Sequence, residues 1–232
     1  MMQKLLMQLL IVVMLESCAS MPMAVAMNGP DPKELTVVMF DISGRKLILP
    51  LPSSRPTKDL DEVRWPMTTK IDIERPYFSP TKLLDGMWDW RNALHLYGSI
   101  GIKLYVESAA QDFDLTCQSS LTEMLEAKFP SHHGKIGEKL PVFRDVVEIA
   151  GRRSVSYRWT AFVEDKSGEN DEESFAIALS AHDYLTLRVN YYGGGDPSVK
   201  PKDWLPRAEA VKQAILQGIH VEGNWPKLHE CQ

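Results

Sequence analysis

Val142-Phe-Arg-Asp-Val-Val-Glu-Ile149, Ser154-Val-Ser-Tyr-Arg-Trp-Thr-Ala-Phe-Val163, Glu173-Ser-Phe-Ala-Ile-Ala-Leu-Ser180 and Tyr184-Leu-Thr-Leu-Arg-Val-Asn-Tyr-Tyr192 follow one another along the chain. Each run is rich in β-branched and aromatic residues. The joining segments are Ala-Gly-Arg at 150–152, the polar loop Glu164–Asp171, and Ala-His-Asp at 181–183. Strand-like runs separated by short turn-forming stretches predict an antiparallel meander.

Helical signals stand on either side of it. Ser119 or Ser120 can cap a helix; Ser120 with Glu123 matches the capping-box spacing, Leu121, Met124, Leu125 and Phe129 share one face, and Pro130 stops the run. After Gly193-Gly-Gly-Asp-Pro, residues Trp204–Ile219 place Leu205, Ala208, Val211, Ala214, Ile215 and Ile219 on one stripe. Nearer the N-terminus, Leu35-Thr-Val-Val-Met-Phe and Lys46-Leu-Ile-Leu flank Asp41-Ile-Ser-Gly-Arg45, a hairpin pattern. Ile100–Glu107 alternates as a strand. Prolines at 50, 52, 56, 66, 76 and 80 predict an irregular surface segment over 50–82 with one short strand near Lys70–Ile73.

The resulting fold class is α+β: an antiparallel sheet of about five to seven strands flanked by two main amphipathic helices, α-β-α sandwich-like. Residues 35–232 form a single domain in this reading. The order helix, four strands, helix over roughly residues 100–222, with Ser156-Tyr-Arg-Trp159 after a Gly-Arg turn and the ending Ile215-Leu-Gln-Gly-Ile219, resembles PsbP/DcrB-type domains. That resemblance implies an α-β-α sandwich of a kind common among bacterial envelope lipoproteins and secretion accessory proteins. It carries no catalytic motif.

The first seventeen residues are set apart. Lys4 precedes an apolar run from Leu5 to Leu15 broken only by Gln8, and Glu16-Ser17 ends it. A positive start and a short apolar segment predict a secretory signal at 1–17, too short to cross a bilayer as a stable helix. Leu15-Glu16-Ser17-Cys18 resembles the bacterial lipobox, with Glu16 departing from the usual small or apolar residue. The resemblance implies cleavage before Cys18, acylation of its thiol, and a lipidated tether over 18–34. Two or more acyl chains hold a protein at a membrane for long periods. Ala19 after the cysteine implies release to the outer membrane, facing the periplasm. The competing site is Ala24-Val25-Ala26, which would leave a soluble periplasmic protein.

Cys117 and Cys231 remain in either case and are the candidate disulfide of an oxidising compartment. The penultimate position of Cys231 argues the other way, because chain ends are commonly loose.

No cofactor, metal or catalytic group is expected. The six histidines include no pair four apart with an intervening Glu. His132-His133 falls in a polar loop, Gly193-Gly-Gly lacks the phosphate-loop Lys, and no G-x-S-x-G turn exists. Carboxylates such as Asp59/Asp61 and Asp171/Glu172/Glu173 fall in loops and read as solvated rather than as an acid/base pair. The formal net charge of −5 and the lack of a basic run argue against nucleic acid. They permit a basic protein partner. Candidate partner-surface residues are Trp88, Trp90 and Arg91, whose alternative is core packing, and Asp165, Glu169 and Asp171 in the acidic loop.

The expected function is protein binding without catalysis. Its specific form is an immunity protein that blocks a secreted, type VI-like antibacterial toxin in the periplasm. The alternative is a structural or assembly lipoprotein of an envelope secretion or transport apparatus.

Overall fold

Ser43 and Gly44 both adopt positive φ, 53° and 79°, which gives the twist that lets two strands fold back without splaying. Asp41 Oδ1 accepts the Gly44 N–H at 2.9 Å and fixes the turn. The hairpin so closed, β1 (Leu35–Ile42) and β2 (Arg45–Pro52), is the one expected from the Ser-Gly signal. The computed structural model describes residues 27–57, 71–73, 80–109, 112–117, 119–128, 143–162, 169–195 and 198–231. The signal segment, Cys18, the Ala24–Ala26 site, Asp59, Asp61, Pro130, His132, His133 and Asp165 lie outside these residues.

The remaining elements are β3 (Ile71–Ile73), β4 (Thr81–Arg91), β5 (Leu96–Ser108), α1 (Ser120–Lys128), β6 (Phe143–Ile149), β7 (Arg152–Phe162), β8 (Glu169–Ala178), β9 (Asp183–Gly193), α2 (Pro201–Gly218) and β10 (His220–Gly223). The chain is therefore mixed α+β, but the single sheet expected from sequence is two. A four-stranded sheet runs β10-β2-β1-β3 with β3 parallel to β1, and a six-stranded antiparallel sheet runs β4-β5-β9-β8-β7-β6. The meander β6 to β9 is as read. Its β6–β7 turn, Ala150-Gly151, again has both φ positive, at 54° and 69°.

One face of the large sheet carries Trp88, Trp90, Ile100, Ile102, Leu104, Leu187 and Val189. These pack with Phe40, Ile42, Leu47 and Leu49 of the small sheet and with Trp204, Ala208, Val211 and Ile215 of α2. Burying such a side chain contributes about 1.5–3 kcal/mol, so this cluster dominates folding. The α2 stripe is shifted slightly from expectation: Trp204 and Lys212 are buried, whereas Leu205 is only partly so. Helix α1 lies on the opposite face, with Leu121, Met124 and Leu125 against Val155, Ala176, Ala178 and Tyr184. At its start Ser119, rather than Ser120, faces Glu123, with Ser119 Oγ donating to Glu123 Oε1 at 2.7 Å.

Two expectations about irregular segments are corrected. Residues 28–34, assigned to the tether, are docked on the domain. Asn28 and Arg91 exchange two backbone hydrogen bonds of 2.8 Å, and Pro30 is buried. Within 50–82, Pro50 and Pro52 belong to β2 beyond the point where β10 stops, so their missing N–H groups cost no ladder bond. Residues 53–57 run beside β4, where Thr57 N donates to Met87 O at 2.8 Å. Together with Asn28 they cover an edge strand that would otherwise present open backbone groups.

The C-terminal residues form a strap. Strand β10 pairs with β2, and Trp225 Nε1 donates to Lys46 O at 3.2 Å. Arg152 of β7 lies over the Trp225 ring at 5.4 Å and donates to Pro226 O. His229 N donates to Thr116 O at 3.0 Å, and Cys231 is disulfide-bonded to Cys117 with Cα atoms 5.0 Å apart. The tail thus touches the small sheet, the large sheet and the segment leading into α1. These contacts hold it down along its length.

Candidate functional site

Alternation along β9 sends Leu185, Leu187, Val189 and Tyr191 to the main core and Tyr184, Thr186, Arg188, Asn190 and Tyr192 to the other face. The register of β5 adds Ser99, Gly101, Lys103, Tyr105 and Glu107 to that second face. Strand β4 adds Asp85 and Asp89, and β8 adds Glu172 and Ser174. Near Ala176, Ala178 and Tyr184 this face is apolar and covered by α1. Beyond them it turns polar, and among the described residues no helix lies over it.

Arg188 organises this polar half. Its Nη2 donates to Glu107 Oε1 at 3.0 Å, its Nη1 lies 3.9 Å from Glu172 Oε1, and its guanidinium sits 4.8 Å above the Tyr105 ring. Tyr184 Oη also donates to Glu107, at 3.1 Å. Ser174 Oγ donates to Glu172 Oε1 at 3.1 Å, and Asn190 Nδ2 donates to Glu172 Oε2 at 2.7 Å. Lys82 Nζ lies 3.9 Å from Asp85 Oδ2, while Asp89 Oδ1 accepts from Ser99 Oγ at 2.7 Å. A cation stacked on an aromatic face and bonded to carboxylates is a strong, directional arrangement.

Gly101 is buried beneath the Tyr192 ring. A Cβ there would stand 3.2 Å from Tyr192 Cε2 and 3.5 Å from Asn190 Cβ, so the glycine makes room for the tyrosine ring. Asn190 is only 5% exposed, and its Oδ1 has no hydrogen-bond partner among the described residues. Desolvation raises the Tyr192 hydroxyl pKa above its ordinary value, and the charges of Glu172 and Asp85 raise it further. Tyr105 is also raised, chiefly by burial, with Arg188 opposing. Both phenols stay neutral at physiological pH and act as rings with polar tips.

The residues expected to form a partner surface are distributed differently. Trp88 and Trp90 are 1% and 0% exposed and belong to the core, a correction that follows from their even spacing on the inward side of β4. Trp88 Nε1 donates to Ser54 O at 2.8 Å, and the Trp90 ring centroid is 6.2 Å from that of Trp204. Arg91 is exposed, beside a shallow cleft with Asn28, Arg55 and Asp89. Glu169 and Asp171 lie within β8 rather than in a loop, paired with Phe162 and Thr160. The adjacent Glu172 and Glu173 point to opposite faces, Glu172 into the polar half and Glu173 to Lys212 of α2. The sequence singles out none of Arg188, Tyr105, Asn190 or Tyr192, and Glu172, expected among solvated loop carboxylates, stands instead in β8 bonded to Asn190. The interruption of β9 by Thr186, Arg188 and Asn190 at every second position was the available signal. Among the described residues, no group of three or more His, Cys, Asp or Glu is gathered as a metal site would be.

No protein-family model matches the chain, and no curated protein matches it. Among solved structures it is similar to LpqN, described as involved in cell envelope biogenesis of Mycobacterium tuberculosis. The TM-score is 0.43 and the identity 10%, over 81% of this chain and 90% of that chain.

Proposed function

We propose that the chain is an envelope lipoprotein that acts by binding another protein, without catalysis of its own. In its most specific form it is an immunity protein at the periplasmic face of the outer membrane that blocks a secreted, type VI-like antibacterial toxin. The observation that carries the reading is the Cys117–Cys231 disulfide, taken with N-terminal residues whose sequence resembles an export signal and a lipobox. Disulfides persist in the periplasm and are rare in the cytosol. The half-exposed polar and aromatic part of the large sheet supplies an area suited to a protein partner, because tyrosine and arginine combine contact area with directional donors.

The test has two parts. Intact-mass analysis of the mature protein should find acyl chains on Cys18, and Cys18→Ala should release it from the membrane fraction. Capture from native cells with the anchored protein should then return one dominant partner whose toxicity the protein suppresses. A mature N-terminus at Met27 without fatty acid, or a partner set of envelope-assembly components with no toxin, would sink the reading.

A further inference from the structure

We propose that the end of the domain entered by residues 27–30, which presents Arg55, Arg91 and Arg207 beside the hairpin tip Leu94, lies flat against an anionic lipid surface. This extends the lipoprotein reading and rests on it.

The first support is where the chain enters the fold. Asn28 and Arg91 exchange two backbone hydrogen bonds, which fixes the entry point at the end of β4. Met27 stands nine residues after Cys18, and nine fully extended residues reach about 30 Å. A domain of this length is about 40 Å across. An acyl anchor on Cys18 therefore keeps this end of the domain nearest the bilayer.

The second support is the charge around that point. Arg55 and Arg91, both exposed, line a surface cleft with Asn28, Gly29 and Pro30. Arg207 of α2, also exposed, lines another with Met27 and Asp31, its Nη1 3.4 Å from Met27 O. The carboxylates lining the two clefts are Asp31, whose Oδ1 accepts the Lys33 N–H, and Asp89, whose Oδ1 accepts the Ser99 hydroxyl. Three arginines against two aspartates make this end cationic in a chain of 31 acidic and 26 basic residues. Arginine is suited to phosphate because its planar fork bonds two oxygens at once.

The third support is apolar. Of the three exposed large apolar side chains among the described residues, Leu94 and Leu96 are here and Val37 is on β1. Leu96 lies opposite Arg91 in the β4–β5 register, and Leu94 is 77% exposed at the turn between them. Asn92 Oδ1 accepts the Leu94 and His95 N–H groups at 2.8 Å each, so the turn holds Leu94 outward. An apolar tip beside arginines is the layout of a surface that dips into the headgroup layer while its cations meet phosphates.

The experiment uses the mature, acylated, disulfide-bonded protein in nanodiscs of phosphatidylethanolamine and phosphatidylglycerol in equal parts, with phosphatidylcholine nanodiscs as the neutral control. Hydroxyl-radical footprinting reads side-chain access. Leu94 should oxidise at least about fivefold more slowly on the anionic discs, the effect of one basic residue near such a surface. Val37, exposed on β1, should oxidise equally on both and serves as the internal control. Arg91→Gln with Arg207→Gln, two exposed positions, should return Leu94 to its rate on the neutral discs. Equal oxidation of Leu94 on the two lipids, protection of Val37 to the same degree, or full protection in the double variant would overturn the proposal and leave the lipoprotein reading standing. If Cys18 carries no acyl chain, the same chain is sedimented with vesicles of the anionic mixture. Salt-sensitive binding that the double variant loses would keep the surface while the lipoprotein reading falls; no binding would end both.

Discussion

The backbone of Gly29 lies directly against the indole of Trp90: a Cβ at Gly29 would stand 2.3 Å from Trp90 Cδ1. Trp90 is itself fully enclosed, so the ring has no direction in which to yield. The contact makes the residues around Gly29, inside the segment expected to be a tether, part of the folded domain. Gly29→Ala should therefore destabilise the protein by about 1–3 kcal/mol, the range for overpacking a filled site. Urea unfolding followed by tryptophan fluorescence reads this directly. An unchanged midpoint would mean that residues 27–30 leave the domain in solution.

The Cys117–Cys231 bridge spans 114 residues and ends a strap that touches both sheets. Its loss should cost about 2–4 kcal/mol, within the range observed for such cross-links. Cys117→Ser with Cys231→Ser should match the effect of a reducing agent on the unaltered protein. Hydrogen exchange adds a local readout: backbone amides around Trp225 and His229 should lose protection well before those of β5 and β9. Equal protection with and without the bridge would show that the Trp225 and Arg152 contacts hold the strap by themselves.

What the sequence made legible was local. Ser43-Gly44 and Ala150-Gly151 announce tight turns because the glycine of each pair accepts positive φ at no steric cost, and the flanking runs are strand-like. The helix α2 was readable because Ala208, Val211, Ile215 and Ile219 recur at helical spacing. Trp88 and Trp90 were open to misreading as surface, since a two-residue spacing inside a charged stretch does not reveal which face meets the core. The division into two sheets depends on the β1–β2 hairpin pairing with no strand of the meander, and the small sheet is completed by β10, a four-residue strand with no periodic signal. The polar face depends on β5 lying beside β9, a pairing between segments more than seventy residues apart. Long-range register places Tyr105, Asn190 and Glu172 together, and no local pattern encodes it.

Tyr105 and Tyr192 give the protein a distinct alkaline response. Burial leads the causes that hold both phenols above the ordinary value of 10.0, so each ionises later in the folded chain than in the unfolded one. The folded state then binds more protons than the unfolded state in that range, and stability falls as pH rises. The contribution is fully present below about pH 9 and is lost as pH passes 10 and climbs through the folded values. Absorbance titration at the phenolate band should show late-ionising tyrosines, and Tyr105→Phe and Tyr192→Phe should each remove one of them. A single transition at the ordinary position for all seven tyrosines would contradict the burial of this face.

Lys212 occupies the core face of α2, with its side chain 6% exposed. Glu173 of β8 and Glu209 of its own helix both pair with it, the latter at 2.7 Å. The Tyr191 ring centroid lies 6.0 Å from its ammonium. A lysine so enclosed is held by its partners, but a buried ion pair gains little over an apolar side chain of equal volume because desolvation offsets the attraction. The two substitutions should therefore separate. Lys212→Ala removes packing and leaves two carboxylates facing a void, at a cost of about 2–3 kcal/mol, less than a fully enclosed pair loses because both glutamates reach water. Lys212→Met keeps the stem and should cost less than half as much. Chemical denaturation of the two variants at neutral pH decides the matter. A larger loss for Met than for Ala would show that the charge itself, rather than the volume it fills, secures α2 to the sheet.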